Sequence, residues 1–482
     1  MAVRQNAATS LRSLAVFANI AGGSGDVNEP VCLLGLAQRL RLGYDNPRHR
    51  PPLTRKTGGF AMNRRRFIAG SAAVSAMLAA RRPPAFAQGT RLHVLQWAHF
   101  VPAADQLFDQ QAKEFGKQAG VEVVAERINQ NDIQARITAA IQSGSGADIV
   151  TIANNHPLLY ESSLVDMTDV AEAIGGQQGG WYDYPKSNCL TSGGRWVGVP
   201  YFIVSWAVTY REDWFKEAGL EYPKTWDDFR KVGRAMKAKG RPFGQALGHS
   251  INDPNAWAYP IVWMWGGMEV EKDGKTVALN SKNTVEAVKF TLATWKDCFD
   301  EGGLAWDDSN NNRAFLSSEI SLTGNAPSIY IAARGKFPDV YKGTNHGHYP
   351  PGPAGRFYFL PCWNSCVMKY SKNQKVAKEF VRWYMDRAQF DKYFEVMDTF
   401  GIPATKGYRD HAVWKKDPKT AVFPETLQYA RPVGFAGPPG RKATEALSKY
   451  ILVDMFAKSI QGMKPEDAVA WASDEMRKIY AG

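Results

Sequence analysis

Arg91-Leu92-His93-Val94-Leu95-Gln96-Trp97, Val121-Glu122-Val123-Val124-Ala125-Glu126-Arg127 and Asp148-Ile149-Val150-Thr151-Ile152 are three short β-rich runs, and what separates them decides the fold. Between the first two, Ala104 to Gln118 places Leu107, Phe108, Ala112 and Phe115 at helical spacing, and Gly120 ends the pattern. Between the second and third, Asp132 to Gln142 carries Ile133, Ile137 and Ile141 on one face and stops at Gly144-Ser145-Gly146. Strand, helix, strand, helix, strand is the start of a doubly wound α/β domain. Ligands in such sheets sit at the carboxyl ends of the strands, here Trp97-Ala98-His99, Ile128-Asn129-Gln130 and Ala153-Asn154-Asn155.

Downstream, Arg195 to Arg211 is apolar and strand-like. Pro223 to Phe229 opens a helix in which Thr225 is the N-cap and Asp228 stands where a capping box has Glu. Further helices are expected over 285–299 and 375–387, while Pro350-Pro351-Gly352-Pro353 and Gly437-Pro438-Pro439-Gly440 punctuate loops. No internal repeat is present.

The composition, 44% apolar and 22% charged with 15 Trp, is that of a globular chain with room for two or more cores. The net charge of +12 is local: residues 1–88 hold 13 Lys and Arg against 3 Asp and Glu, which leaves +2 on the rest. A phosphate-tracking protein would keep its basic excess in the folded part, so a nucleic-acid partner is excluded. From Met62, the run Asn63-Arg64-Arg65-Arg66-Phe67, an apolar stretch to Ala80 and Ala85-Phe86-Ala87 form a tripartite export signal with cleavage after Ala87. Arg64, Arg65 and Phe67 resemble the twin-arginine motif, with a Sec signal as the alternative. Residues 1–61 show no period and are expected to be a mis-assigned start or a disordered extension, and 62–87 the signal peptide. The product is expected in the periplasm, free of a lipid anchor. There Cys362 and Cys366 lie close enough in sequence for a disulfide, and two unpaired buried thiols fit the spacing equally.

Hydrolase, zincin and nucleotide fingerprints are absent from the mature chain. His346 and His348 have a spacing a metal could use, but no carboxylate or Cys stands nearby in sequence, and a solvated loop is the expectation. Asp227-Asp228 and Asp307-Asp308 are expected to be solvated as well. The unusual feature is the aromatic run Trp257 to Trp265. Such rings can pack a core or stack on sugar faces, and neighbouring Asn, Gln and Tyr side chains would suit a polyhydroxylated ligand.

In order and spacing the chain resembles the family 1 extracellular solute-binding proteins of bacterial ABC importers, the sugar and polyol group that includes maltose-binding protein. The segments that carry the resemblance are Gly198 to Tyr201 with Tyr210 to Gly219, Pro223 to Phe229, Trp265-Gly266-Gly267, Ser321 to Pro327, Pro351 to Gly355, Ser371 to Tyr384 and Gly401-Ile402-Pro403. It implies a type II periplasmic-binding fold of two α/β lobes, residues 90–205 plus 323–386 and 206–322 plus 387–482, joined by hinge crossings around a ligand cleft. The cleft residues it implies are Trp97, His99, Asn129, Gln130, Asn154, Asn155, Ser205 or Trp206, Asn255, Trp257, Asn325 and Trp363, with Ser328 and Asn364 beside them. Asn or Gln where maltose-binding protein has carboxylates, and no Trp in residues 435–440, point to a smaller neutral ligand: a monosaccharide, disaccharide or polyol. The implied partners are that ligand, the importer's permease subunits and the export translocon, for a monomer that needs no cofactor and catalyses nothing. The rival is an exported periplasmic enzyme, a glycosidase or a cofactor-dependent oxidoreductase. It would need a catalytic carboxylate pair or a cofactor fingerprint, and neither is legible.

Overall fold

The computed structural model describes residues 89–482. The expected export signal (Arg64, Arg65, Phe67) and cleavage site (Ala85, Ala87) lie outside the described residues. The opening run folds as strand β1 (Thr90–Trp97), helix α1 (Pro102–Ala119), β2 (Val121–Ile128), α2 (Ile133–Ser143) and β3 (Ile149–Ala153). Gly120 takes φ 73° and returns its N–H to the Gly116 carbonyl, which is how the helix stops where the sequence says it should. β1 pairs in parallel with β2 and with β3. α1 buries Phe108 and Phe115 against Phe380 of a later helix, Gln374–Met385.

β4 (Val199–Val204) and β5 (Ala207–Arg211) are separated by Ser205 and Trp206 alone, and there the chain changes sheets. The first sheet has the order β10-β4-β9-β3-β1-β2 and the second β6-β7-β5-β8. The second sheet is built of short strands: β6 (Phe243–Gly244), β7 (Leu322–Asn325) and β8 (Thr344–Gly347) beside β5. Helices α3 (Trp226–Ala238), α4 (Asp253–Met264) and α5 (Lys282–Cys298) belong to this part of the chain. The chain rejoins the first sheet at β9 (Cys362–Val367), continues through α6 (Gln374–Met385), and returns once more at β10 (Gly401–Pro403).

This pairing corrects two expected boundaries. Residues 323–347 were assigned with the first lobe, yet β7 and β8 both pair with β5 in the second sheet. Residues after 386 were assigned with the second lobe, yet Gly401–Pro403 pairs antiparallel with Phe202–Val204 in the first. Three- and four-residue strands carry too little periodicity to be told from connecting loops, so only their hydrogen-bond partners place them.

The thiols are settled by the same geometry. Cys362 and Cys366 lie four residues apart on one extended strand, about 13 Å at strand rise, beyond the reach of a disulfide. Both are free and buried, as are Cys189 and Cys298. A Cβ on Gly198 would stand 2.6 Å from Cys366 Sγ and 3.3 Å from Cys189 Sγ, so two of the sulfurs pack against a position only glycine can occupy.

Candidate functional site

Past the carboxyl end of β2, Gln130 meets Asn252 at the start of α4. Trp97 ends β1, and because β9 runs antiparallel to β3 with Ala153 opposite Trp363, the second indole arrives at the same end of the sheet. The two rings stack with centroids 4.5 Å apart and planes 4° from parallel. They line a cavity with Phe100, Gln130, Trp206 and Phe400 on one side and Asn252, Asp253, Asn325 and Ser328 on the other. Its volume is about 20 Å3, room for roughly one water.

The two sides touch directly. The Gln130 side-chain amide donates to Asp308 Oδ2 and its oxygen accepts from Asn252 Nδ2 at 2.9 Å. Next to it, Asn131 Oδ1 accepts from the Ile251 N–H at 3.1 Å. Asn129, an exposed residue, caps the short turn that presents Gln130 by accepting from the Asn131 N–H at 2.9 Å. Asn325 Nδ2 donates to Asn312 Oδ1 at 2.5 Å, which holds it at the cavity wall.

The carboxylate pair expected to be solvated is not. Asp308 is 3% exposed, as is Asp253. Asp308 accepts from the backbone N–H groups of Asp253 at 2.8 Å and Asn252 at 3.3 Å, so it satisfies the first turn of α4 from across the chain. Burial still raises its pKa to about 6. Asp253 rises further above the usual carboxylate range, by burial first and by the charge of Asp308 second. Asp307, half-buried, accepts from the Ser309 N–H at 2.8 Å ahead of the next helix.

Several buried polar atoms here have no protein partner: Asn252 Oδ1, Trp363 Nε1, His99 Nε2 and Asn154 Nδ2. Burial lowers the His99 pKa to about 3. Its ring is therefore neutral, with Nδ1 accepting from the Val101 N–H at 2.8 Å and the proton left on Nε2. It sits behind Trp97 and Phe400, with ring centroids 4.8 Å from each, and does not line the cavity.

The structure thus gathers Trp97, Gln130, Trp206, Asn325 and Trp363 of the expected residues, together with Ser328, and not the rest. Asn154 Oδ1 is occupied by the Cys362 N–H at 3.1 Å, knitting β3 to β9. Asn155 is buried beside Thr444, whose hydroxyl bonds its carbonyl at 3.2 Å. Ser205 is consumed by the crossing, donating to the Thr399 carbonyl at 2.6 Å. Asn255 Nδ2 donates back to the carbonyl of Ile251, just ahead of α4, at 3.1 Å. Trp257 is 2% exposed and packs edge-on against Trp226, Phe299 and Tyr349, so it is core. Asn364 is interior as well, donating to the Ile152 and Asn154 carbonyls at 2.8 Å each.

Neither His346 nor His348 is in a solvated loop. His346 lies on β8 with Nδ1 against the Lys419 carbonyl at 2.8 Å, and His348 lies between Tyr358 and Glu425. Among the described residues no group of His, Cys, Asp or Glu has metal-holding geometry. Sequence reasoning missed Phe100, Asn252, Asp253 and Phe400. Asp253-Pro254 does mark a helix start in the sequence, but a helix start alone does not place Asn252 and Asp253 at the cavity.

A protein of Deinococcus radiodurans named "Probable ABC transporter-binding protein" is 23% identical over 283 residues, 56% of this chain and 67% of its own length. Among solved structures, maltose-bound MalE3 of T. maritima superposes with a TM-score of 0.69 at 17% identity, covering 81% of this chain and 99% of its own. The ABC transporter solute-binding protein of Agrobacterium radiobacter K84 in complex with ribitol gives 0.68 at 18%, covering 81% and 99%. These likenesses show the fold: two α/β lobes of the periplasmic-binding type, one on each sheet. Since a family model for the bacterial extracellular solute-binding protein also matches residues 110–422, nearly two thirds of its length, the chain belongs to that family.

Proposed function

We propose that the protein is a periplasmic receptor that captures a small carbohydrate, a monosaccharide, disaccharide or polyol, in the cleft between its lobes and delivers it to the permease of an ABC importer. The observation that carries this reading is the cavity wall. Three indoles, Trp97, Trp206 and Trp363, offer apolar faces, and the unpartnered Asn252 Oδ1 and Trp363 Nε1 supply an acceptor and a donor for hydroxyls. Solved relatives holding maltose and ribitol support the ligand class. A cavity of about 20 Å3 admits no sugar, so the lobes must part at the crossings and close again over the ligand. Lobe one carries β1 to β4, β9 and β10, and lobe two carries β5 to β8. Ligand contacts to both lobes would shift the population toward the closed form, whose surface the permease reads. The protein acts as a monomer, performs no covalent chemistry and reaches the periplasm through the twin-arginine translocon, cleaved after Ala87.

The test is a thermal-shift and Trp-fluorescence screen against sugars and polyols, using protein recovered from the periplasmic fraction so that its N-terminal residue also reports the cleavage point. A ligand that binds only the folded state raises the melting temperature by mass action, and closure over three indoles alters their emission. Micromolar binding of a sugar or polyol is the expected result. No shift with any of them, together with turnover of a chromogenic glycoside, would transfer the protein to the enzyme class.

A further inference from the structure

On the carbohydrate-receptor reading, and in place of the neutral ligand expected from the sequence, we infer that the ligand carries an amino group as well as hydroxyls, and that Asp253 of lobe two receives its ammonium. Asp253 is the acidic side chain on the cavity wall, and no Lys or Arg lines that wall. It is 3% exposed, and its side chain is bonded by the neutral Asn311 Nδ2 at 2.8 Å and by the Asp308 carboxyl, with no cation among its partners. Its charged neighbours are two further acids, Asp307 and Asp308.

Asp308 is already served by two backbone N–H groups and the Gln130 amide, whereas the Asp253 side chain accepts from Asn311 alone and otherwise lies against Asp308, so Asp253 is the acid of the pair with fewer N–H donors. A buried carboxylate without a cation must either hold a proton or meet a positive charge from outside the protein. A ligand ammonium would supply that charge, and an ammonium is also the group that the surrounding indole faces attract.

The rest of the wall asks for a polyhydroxylated body. Asn252 Oδ1 is a buried, unpartnered acceptor beside Asp253, and Trp363 Nε1 is a buried, unpartnered donor across the cavity. One suits a second N–H or a hydroxyl proton, the other a hydroxyl oxygen. Amino sugars and amino polyols combine all three features. A phosphorylated sugar would bring an anion to a wall whose charged side chain is an acid.

The experiment is calorimetric titration of the purified protein with matched pairs that differ by one group: glucose and glucosamine, galactose and galactosamine, sorbitol and glucamine. In at least one pair the amine should bind tenfold or more tightly than its neutral partner. Asp253→Asn, which keeps the shape and the Asn311 contact, should abolish that preference, bringing the amine and its neutral partner to within about threefold of each other. Neutral members binding as well as the amines would overturn this inference and leave the carbohydrate receptor standing. Equal weakening of both members by Asp253→Asn would overturn it too, because it would make Asp253 a scaffold residue. The wild-type comparison decides the matter alone should the variant fail to fold. If every pair fails to bind, this inference falls, and the carbohydrate-receptor reading is decided separately by the wider sugar and polyol screen.

Discussion

Glu269 shows how far a single buried charge can steer this molecule. It is 1% exposed, its Oε1 accepts from Trp263 Nε1 at 2.6 Å, and burial raises its pKa from 4.5 to about 8 against the weak pull of Arg431. Between those two values the folded chain keeps a proton that the unfolded chain has released, so stability falls as pH rises through the window, by up to about 1.4 kcal/mol per unit. Above about pH 8 both states are ionised and the slope vanishes. Glu269→Gln preserves the acceptor for Trp263 and removes the titration. Urea unfolding should show the variant close to wild type at pH 5 and more stable by ~2–4 kcal/mol at pH 8. A constant difference across that range would mean that Glu269 is ionised in the folded state. At the same scale, Asp253 and Asp308 could not be recognised as cleft residues from sequence. Two acids 55 positions apart become one site only when α4 starts beside the loop that ends at Asp308.

Elements divide by length. α1 and α2 and the three strands around them lie within two residues of where periodicity and glycine stops place them, and Thr225 caps α3 by accepting from the Asp228 N–H at 3.1 Å, as its spacing to Asp228 predicts. α4 is the contrast. All twelve of its residues are buried, so it has no polar face from which to read orientation, and which of its aromatic rings meets a ligand is invisible in the sequence. The helix resolves the matter by packing Trp257 into the lobe-two core and offering Asn252 and Asp253, at its first turn, to the cavity. Trp257→Ala should therefore cost about 3–5 kcal/mol of stability, visible as a large fall in melting temperature. A near-normal melting temperature with tenfold weaker ligand binding would return Trp257 to the cleft.

For the whole molecule the decisive contact is the bridge from Gln130 in lobe one to Asp308 and Asn252 in lobe two, reinforced by Asn131 and Ile251. These bonds form only when the lobes meet, so on the proposed hinge closure they would stabilise the closed form and contribute nothing to either lobe alone. Gln130→Ala should leave the melting temperature within a few degrees of wild type. It should also raise the radius of gyration measured by small-angle scattering and weaken ligand binding by about tenfold, since a hydrogen bond to a buried charge contributes about 1.5–3 kcal/mol. An unchanged radius would show that closure rests on other contacts.

The sequence by itself determined the α/β class, the doubly wound start, the carboxyl-end position of Trp97 and Gln130 and the likeness to solute-binding receptors. Each of these follows from local periodicity, from a turn residue or from an ordered run of motifs. Only the tertiary structure decided which sheet claims β7, β8 and β10, because short strands are defined by their partners. It also decided that Asn154, Ser205 and Asn255 spend their side chains on the scaffold, and that Trp97 and Trp363, 266 positions apart, become one stacked wall. Burial and pairing are properties of what surrounds a residue in space, and the surroundings of this cleft come from seven separate stretches of the chain.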